Sequence, residues 1–212
     1  LHNHDEDASA ELAAWADVVF CEWAGPNMIW YQQHKRPGQR LVVRLHRFEL
    51  GAPWMAQSDV DLVDALVFVS DHLRSRGIAS LGVAPGRTTV IPNTVNVDDL
   101  SRPKLPGSEF RLGLVGIVGY LKRPDRALDL LEALLAHDDR YTLHVKGRMP
   151  WEYPHEWNQP LQRQLYLEFF GRIRASDTLR QQVVFEPFSP DIASWLRKIG
   201  VVLSCSSLES FH

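Results

Sequence analysis

A glycine-containing loop that brings two basic residues to the start of a helix is the clearest candidate for chemistry. The run GIVGYLKRP (116–124) follows an apolar run typical of a strand. Gly116 and Gly119 allow close backbone approach, Lys122 can neutralise a phosphate oxygen, and the first N–H groups of a helix attract anions. The loop matches neither the P-loop nor the GxGxxG fingerprint. We expect either a phosphate site or an ordinary turn whose basic residues are solvated.

Two other stretches place polar side chains after apolar runs. In RLHRFE (44–49), His46 comes at the end of a strand and Glu49 three residues later. His46 could contact a ligand at the sheet edge, or it could be a hydrogen-bonded core histidine beside a surface Glu49. In SCSSLESFH (204–212), the carboxylate of Glu209 could accept hydrogen bonds from sugar hydroxyls, or it could belong to a helix cap.

Two features have simpler explanations. The stretch HNHDED (2–7) contains metal-ligand types, but an acidic turn before a helix explains it better, and we expect no metal site. Trp151 and Trp157 could stack on sugar rings, although structural anchoring is the simpler interpretation.

Short apolar runs alternate with amphipathic stretches, which is typical of an α/β fold with parallel sheets. Continuous apolar character suggests strands buried on both faces. The predicted strands are Asp17 to Cys21, Arg40 to Leu45, Ala65 to Val69, Thr88 to Ile91, Arg111 to Val115, Tyr141 to Val145, Val183 to Phe185 and Val201 to Ser204.

Helix signals lie between these strands. Ser70 is expected to cap a short helix that Gly77 ends, and Pro124 and Pro160 each suit a first helical turn. A further helix is expected to open at 189–191 and to stop at Gly200. The longer helix after Pro160 should bury a stripe that recurs every fourth residue, made of Leu161, Leu165, Phe169 and Ile173.

Composition limits the class of protein. The chain has 212 residues, 23 Lys and Arg against 26 Asp and Glu, and no basic block, so we expect no nucleic-acid partner. The two cysteines, Cys21 and Cys205, lie in apolar runs, which suggests reduced, buried thiols and a cytoplasmic protein. No apolar run is long enough to span a membrane, and a peripheral association with its inner face remains open.

The segment NTVNVDDLSRPKLPGS (93–108) is polar, contains two prolines, and has four predicted strands on each side. We therefore expect two α/β lobes, residues 1–105 and 106–212, since such polar segments commonly link domains.

Six stretches taken in order resemble the family 4 ("group 1") retaining glycosyltransferases of the GT-B fold. They are LVVRLHRFE, DALVFVSDHLRSRG, TTVIPNTVNVDDL, FRLGLVGIVGYLKRPDRALDLLEALL, YTLHVKG and VVFEPFSPDIASWLRKIGVVLSCSSLESFH. The resemblance implies two Rossmann-like lobes, the first on the acceptor side and the second binding a nucleotide-sugar. It also implies that both lobes are incomplete in this chain.

The resemblance assigns roles to individual residues. Lys122 matches the basic residue that holds the donor diphosphate, Glu209 the first acid of the paired-glutamate motif, and His46 the histidine near the transferred sugar. The resemblance also implies donor contacts from the glycine loop and from the two later motifs, at Gly116, Gly119, Arg123, Gly147, Ser207 and Phe211. Ile117 departs from the pattern, since the family often has arginine there, and the second glutamate would fall beyond His212.

The implied reaction transfers a sugar from a nucleoside-diphosphate sugar to an acceptor hydroxyl with retention and without a cofactor. A carbohydrate or a lipid-linked saccharide would be the acceptor, in polysaccharide or glycolipid assembly. Three alternatives remain: a sugar-nucleotide epimerase with the same architecture, a dehydrogenase, which the missing GxGxxG disfavours, and a non-catalytic nucleotide- or carbohydrate-binding module, which Ile117 favours.

Overall fold

The chain folds into two α/β units, each built on a four-stranded parallel sheet. A computed structural model describes residues 5–207, and the division between the units falls between Thr94 and Val95. The eight strands lie where the sequence predicts them, within one residue at each end. The α/β prediction is confirmed.

The first unit has strand order β1-β2-β3-β4. Its elements are α1 (Glu6–Trp15), β1 (Val18–Cys21), α2 (Pro26–Gln33), β2 (Arg40–Leu45), β3 (Ala65–Phe68), α3 (Asp71–Leu81) and β4 (Thr88–Val90), with short 3-10 turns between β2 and β3 and before β4. Its core packs β2 and β3 residues such as Val43 and Phe68 against Met28 of α2 and Leu73 of α3.

The second unit has strand order β7-β6-β5-β8. Its elements are α4 (Val97–Leu100), β5 (Arg111–Val115), α5 (Pro124–Leu135), β6 (Thr142–Lys146), α6 (Pro154–Trp157), α7 (Pro160–Ala175), α8 (Asp177–Gln182), β7 (Val183–Glu186), α9 (Ile192–Leu196) and β8 (Val201–Leu203). Its core packs α5 residues such as Leu128 and Leu131 against Leu143 of β6 and Phe169 of α7.

The end that the sequence predicts for α3 is wrong. Ser70 caps the helix as expected, since its hydroxyl accepts from the N–H of Leu73 at 3.3 Å. The helix continues through Gly77 and ends at Gly82, which has φ of 66°. Position 77 needs a glycine because a Cβ there would come 2.3 Å from the Phe68 ring. This glycine therefore serves close packing rather than termination.

Two helices of the second unit differ in detail from the sequence prediction. In α7, Phe169 and Ile173 are buried but Leu161 is 67% exposed, because Tyr166 occupies the inward face instead. Helix α9 opens as expected, with the Asp191 carboxylate accepting from the Ser194 N–H at 2.9 Å, and it ends at Leu196, before Gly200.

The expectation of burial on both faces fails for the edge strands. Val18 and Phe20 of β1 and Val201 and Val202 of β8 are about half exposed, since each of these strands lies at an end of its sheet. Both cysteines are free thiols as expected, but Cys205 is only half-buried.

The boundary predicted at 105/106 lies within the second unit. The segment before it is hydrogen-bonded to α9 and the residues after it. The Leu105 N–H donates to the Arg197 carbonyl at 2.8 Å, and the Lys104 ammonium donates to the carbonyls of Leu196 and Ile199 at 2.8 Å each. Most of the polar, proline-containing segment therefore packs on the second unit, and the division between the units falls near its beginning.

Candidate functional site

The glycine loop, residues 116–123, begins at the carboxyl end of β5. Gly116 and Gly119 have φ of 72° and 71°, a region that side chains with a Cβ rarely adopt. The Gly116 N–H donates to the Lys146 carbonyl at 2.8 Å, which joins the loop to the end of β6. A Cβ on Gly147, whose φ is 143°, would lie 3.4 Å from the Gly116 Cα. Gly116 and Gly147 therefore lie together at one edge of the sheet and leave bare backbone there, while Gly119 lies further along the loop.

Contacts from three directions fix the glycine loop. The Ile117 side chain is fully buried in the core, and the Tyr166 hydroxyl of α7 donates to the Ile117 carbonyl at 2.8 Å. The Tyr120 N–H donates to the Gln162 side chain at 3.2 Å. Ser207 donates from its N–H to the Leu121 carbonyl at 2.9 Å. The loop is thus preorganised by α7 and by the segment after β8.

The two basic residues of the loop have different surroundings. Lys122 ends a 3-10 turn, Tyr120–Lys122, and is half-buried. Arg123 has φ of 51°, the sole positive φ outside glycine within residues 5–207. Its guanidinium holds Asp125 in a two-point ion pair, with N–O distances of 2.9 and 2.6 Å. This pairing holds the pKa of Asp125 below its usual range, so the charge of Arg123 is already compensated.

Asp125 also changes the expectation for the N-terminus of α5. Hydrogen bonds from the Asp125 and Arg126 backbone N–H groups help to lower the pKa of this carboxylate. A side-chain anion thus already lies at the helix N-terminus, where one of the two expectations from the sequence places a phosphate. The edge formed by Gly116 and Gly147 offers the more open approach for a ligand.

A cavity of about 430 Å³ opens at the carboxyl ends of β5, β6 and β7, beside the glycine loop. This volume lies within the range of small-molecule sites. Phe188 is 62% exposed at the cavity, and the guanidinium carbon of Arg148 lies 5.7 Å from its ring centroid. Gly116, Lys146, Gly147, Arg148, Tyr153 and Phe188 line it. The cavity therefore combines bare backbone, cations and aromatic faces.

Sequence reasoning missed four of these lining residues. Lys146 and Arg148 flank Gly147 in the run VKGRMP, and a strand that ends in lysine and glycine was the available signal. Tyr153 and Phe188 reach the cavity from loops after β6 and β7 that no spacing rule connects. Of the residues predicted after β8, Ser207 lies against the loop, while Glu209 and Phe211 lie outside the described residues.

In the first unit, His46 follows β2 and stacks on Trp23, with ring centroids 4.1 Å apart. Its Nε2 lies 3.7 Å from the Glu22 carboxylate and has no hydrogen-bond partner among residues 5–207. Burial is the largest cause that lowers the pKa of His46; Arg44 lowers it further, and Glu22 partly offsets both effects. The imidazole is therefore neutral near pH 7, with a nitrogen able to donate or accept.

Glu49 is not the surface residue of the simpler interpretation. Its side chain is fully buried, and its Oε2 accepts from the His46 N–H at 2.6 Å. Burial raises the pKa of Glu49 to about 7, against the opposing effect of the His46 and Ala24 N–H groups. Glu49 therefore fixes the backbone from which the His46 side chain extends.

The remaining sequence predictions concern metal ligands, exposed tryptophans and membrane spans. In the part of the chain that the structure describes, no cluster of three His, Cys, Asp or Glu side chains could hold a metal, and His2 and His4 lie outside it. Trp151 is 52% exposed, while Trp157 packs against the core. None of the helices in residues 5–207 combines the length and apolar character needed to cross a bilayer.

Comparison with solved structures identifies the architecture. The chain matches TarM with a TM-score of 0.70 at 12% identity, over 94% of this chain and 39% of that one. The fold is that of the GT-B glycosyltransferases. Anabaena HepE in complex with UDP gives a TM-score of 0.65 at 16% identity, over 95% and 56% of the two chains. The pneumococcal O-GlcNAc transferase GtfA, in complex with UDP and GlcNAc, gives 0.63 at 15% identity, over 97% and 40%.

The chain spans between 39% and 56% of the length of these three structures. No family model and no curated protein matches the sequence. At 12% to 16% identity, the likeness is evidence for the fold alone, since one fold hosts many functions.

Proposed function

We propose that the protein is a retaining glycosyltransferase that moves a sugar from a nucleoside-diphosphate sugar to an acceptor hydroxyl. One observation carries the proposal: the bare backbone of Gly116 and Gly147 borders a cavity with an exposed aromatic face, beside the loop that holds Lys122. A nucleotide has the matching chemistry, namely an anionic diphosphate next to a flat base. The Anabaena and pneumococcal proteins of the same fold hold UDP.

In the proposed complex, the base lies against Phe188 and Tyr153, where it can stack on an aromatic face. The diphosphate lies over Gly116 and Gly147, since the absence of side chains lets phosphate oxygens approach the backbone. Lys122 contacts the diphosphate and Ser207 supports the loop. Arg123 stabilises the loop conformation and does not contact the diphosphate, because its charge is already paired with Asp125.

The proposed reaction breaks the bond between the anomeric carbon and the diphosphate and forms a bond from that carbon to the acceptor oxygen. A leaving phosphate oxygen takes the acceptor proton. Negative charge develops on the diphosphate in the transition state, so the fixed charge of Lys122 lowers the barrier, and we propose that no metal is needed. The resemblance assigns His46 to the transferred sugar and Glu209 to its hydroxyls.

We propose a glycan or a lipid-linked saccharide as acceptor, in polysaccharide or glycolipid assembly at the inner face of a membrane. This part of the proposal rests on the family resemblance alone.

One observation favours a second candidate, a non-catalytic nucleotide-binding module. Ile117, at the position where the family often has arginine, is fully buried in the core, so it cannot contribute to charge stabilisation. Such a module would bind nucleotide through the same cavity without turnover.

Turnover separates these candidates. UDP-, GDP-, ADP-, CDP- and TDP-hexoses are incubated with the protein in EDTA, with and without an extract of polysaccharides and glycolipids, and proton NMR follows the anomeric signals. The transferase releases a nucleoside diphosphate when acceptor is present and forms a product with the anomeric configuration of the donor. An epimerase converts the donor without acceptor. No turnover of any donor that binds favours the module.

A further inference from the structure

Lys146, the last residue of β6, brings a cation to the wall of the cavity beside the glycine loop. The residue is 8% exposed and lines the cavity next to Gly116 and Gly147. Among residues 5–207 its ammonium has no hydrogen-bond or ion-pair partner, and its Nζ is not one of the enclosed polar atoms, so it is open to solvent at the cavity. An ammonium that lies at a cavity wall without a partner among these residues is available to the oxygens of an anionic ligand.

The carboxylate in register with Lys146 on the neighbouring strand already has other partners. Glu186 is its Cα partner on β7, and its oxygens accept from His144 at 2.9 Å, Trp195 at 2.8 Å and Lys198 at 3.1 Å. These three donors hold the pKa of Glu186 at about 2 against the opposing effect of burial. The charge of Glu186 is thus balanced by its own partners and does not neutralise Lys146.

The backbone fixes the position from which the Lys146 side chain extends. The Lys146 carbonyl accepts from the Gly116 N–H at 2.8 Å, and the Gly147 N–H donates to the Glu186 carbonyl at 3.0 Å. The strand end is therefore held on both sides. The other charged side chain that lines the cavity is Arg148, also a cation, so the wall made by the end of β6 is positive.

The glycine loop carries less positive charge than the family pattern implies. Ile117 is buried at the position where the family often has arginine, and Arg123 is paired with Asp125. A diphosphate carries more than one negative charge, so the single positive charge of Lys122 would balance it only in part. A second cation from a neighbouring strand would restore the balance.

We propose that Lys146 is a second diphosphate-binding residue, which contacts the phosphate oxygens over Gly116 and Gly147 and takes the place of the missing arginine at position 117. This inference rests on the proposed nucleotide-sugar function. A hydrogen bond from an ammonium to a phosphate oxygen is roughly twice as strong as one between neutral groups.

The test substitutes Lys146→Met, which keeps the length of the chain and removes the charge. Calorimetry in EDTA compares the nucleoside diphosphate that binds wild type most tightly with the corresponding nucleoside. Diphosphate affinity should fall at least about 30-fold, while nucleoside affinity should change less than about threefold. The ligand-free variant should keep the Tm of wild type, since the ammonium has no partner among residues 5–207, whereas a merely structural lysine would lower the Tm when lost.

The control is Arg163→Ala, which removes an exposed cation of α7 that does not line the cavity. If Lys146→Met binds the diphosphate as wild type does, the role of Lys146 is contradicted and the proposed function stands. If both diphosphate and nucleoside affinities fall equally, Lys146 shapes the cavity rather than binding phosphate, and the inference again fails. If wild type binds none of the UDP, GDP, ADP, CDP and TDP probes, the proposed function and the inference fail together.

Discussion

The carboxylate of Glu49 accepts a hydrogen bond from the backbone N–H of His46 at 2.6 Å, inside the first unit and out of contact with water. Because this buried carboxylate holds the backbone of His46, the stability of the unit should depend on pH. Burial raises the pKa of Glu49 from 4.5 to about 7, so between these values the folded protein keeps a proton that the unfolded chain releases.

The first prediction follows from that linkage. The contribution of Glu49 to stability is fully present below pH 4.5 and is lost as the pH rises through about 7. Glu49→Gln should remove this loss and raise the free energy of unfolding at pH 8 by about 1–3 kcal/mol relative to wild type, with less difference at pH 5. Urea unfolding at the two pH values measures it. Glu11→Gln, an exposed change on α1, serves as the control. Parallel pH profiles for wild type and Glu49→Gln would contradict the account.

The second prediction concerns Gly147. Its φ of 143° is a conformation that residues with a Cβ rarely adopt, and a Cβ there would lie 3.4 Å from the Gly116 Cα, on the surface proposed for the diphosphate. Gly147→Ala should lower the free energy of unfolding by about 1–3 kcal/mol and abolish measurable nucleotide binding. Gly171→Ala on α7 meets no atom within 4 Å and should instead be neutral or stabilise the protein by about 0.5–1 kcal/mol. Equal stability and equal nucleotide affinity of the two variants would contradict the role of Gly147.

The third prediction concerns the base. Phe188 is 62% exposed, so Phe188→Ala should leave the free energy of unfolding within about 0.5 kcal/mol of wild type. Its loss should weaken nucleoside and nucleoside diphosphate binding alike by about tenfold, since both present the same base for stacking. Trp15→Ala, which removes an exposed aromatic of the first unit, should change neither affinity. An unchanged affinity in the Phe188 variant would contradict stacking of the base on Phe188.

Much of the fold could be read from the sequence, because parallel strands are apolar along their whole length and turns between them carry glycine or proline. The end of α3 could not, since a glycine inside a helix and a glycine at its end look alike until the Phe68 ring is seen against Gly77. The division between the units falls earlier than the polar segment predicts, because the partners of Lys104 and Leu105, on and after α9, lie far away in sequence.

The candidate site was only partly predictable. Gly116, Gly119 and Lys122 are close together in sequence and could be found by composition. Lys146 and Phe188 belong to the same cavity only because β5, β6 and β7 end at one edge, which is a property of the strand order. The burial of Glu49 was also invisible, since its partner is the backbone N–H of His46 rather than a charged side chain.

Substitution of Lys122 tests most directly whether the glycine loop binds a nucleoside diphosphate without metal. UDP, GDP, ADP, CDP and TDP are titrated by calorimetry into wild type, Lys122→Ala and the Arg163→Ala control, in EDTA and then with magnesium. We predict that one nucleotide binds wild type and the control without metal, and that its affinity falls about tenfold or more in Lys122→Ala while the variant stays folded. Equal affinity of that nucleotide for wild type and Lys122→Ala, or binding that requires magnesium, would contradict the account.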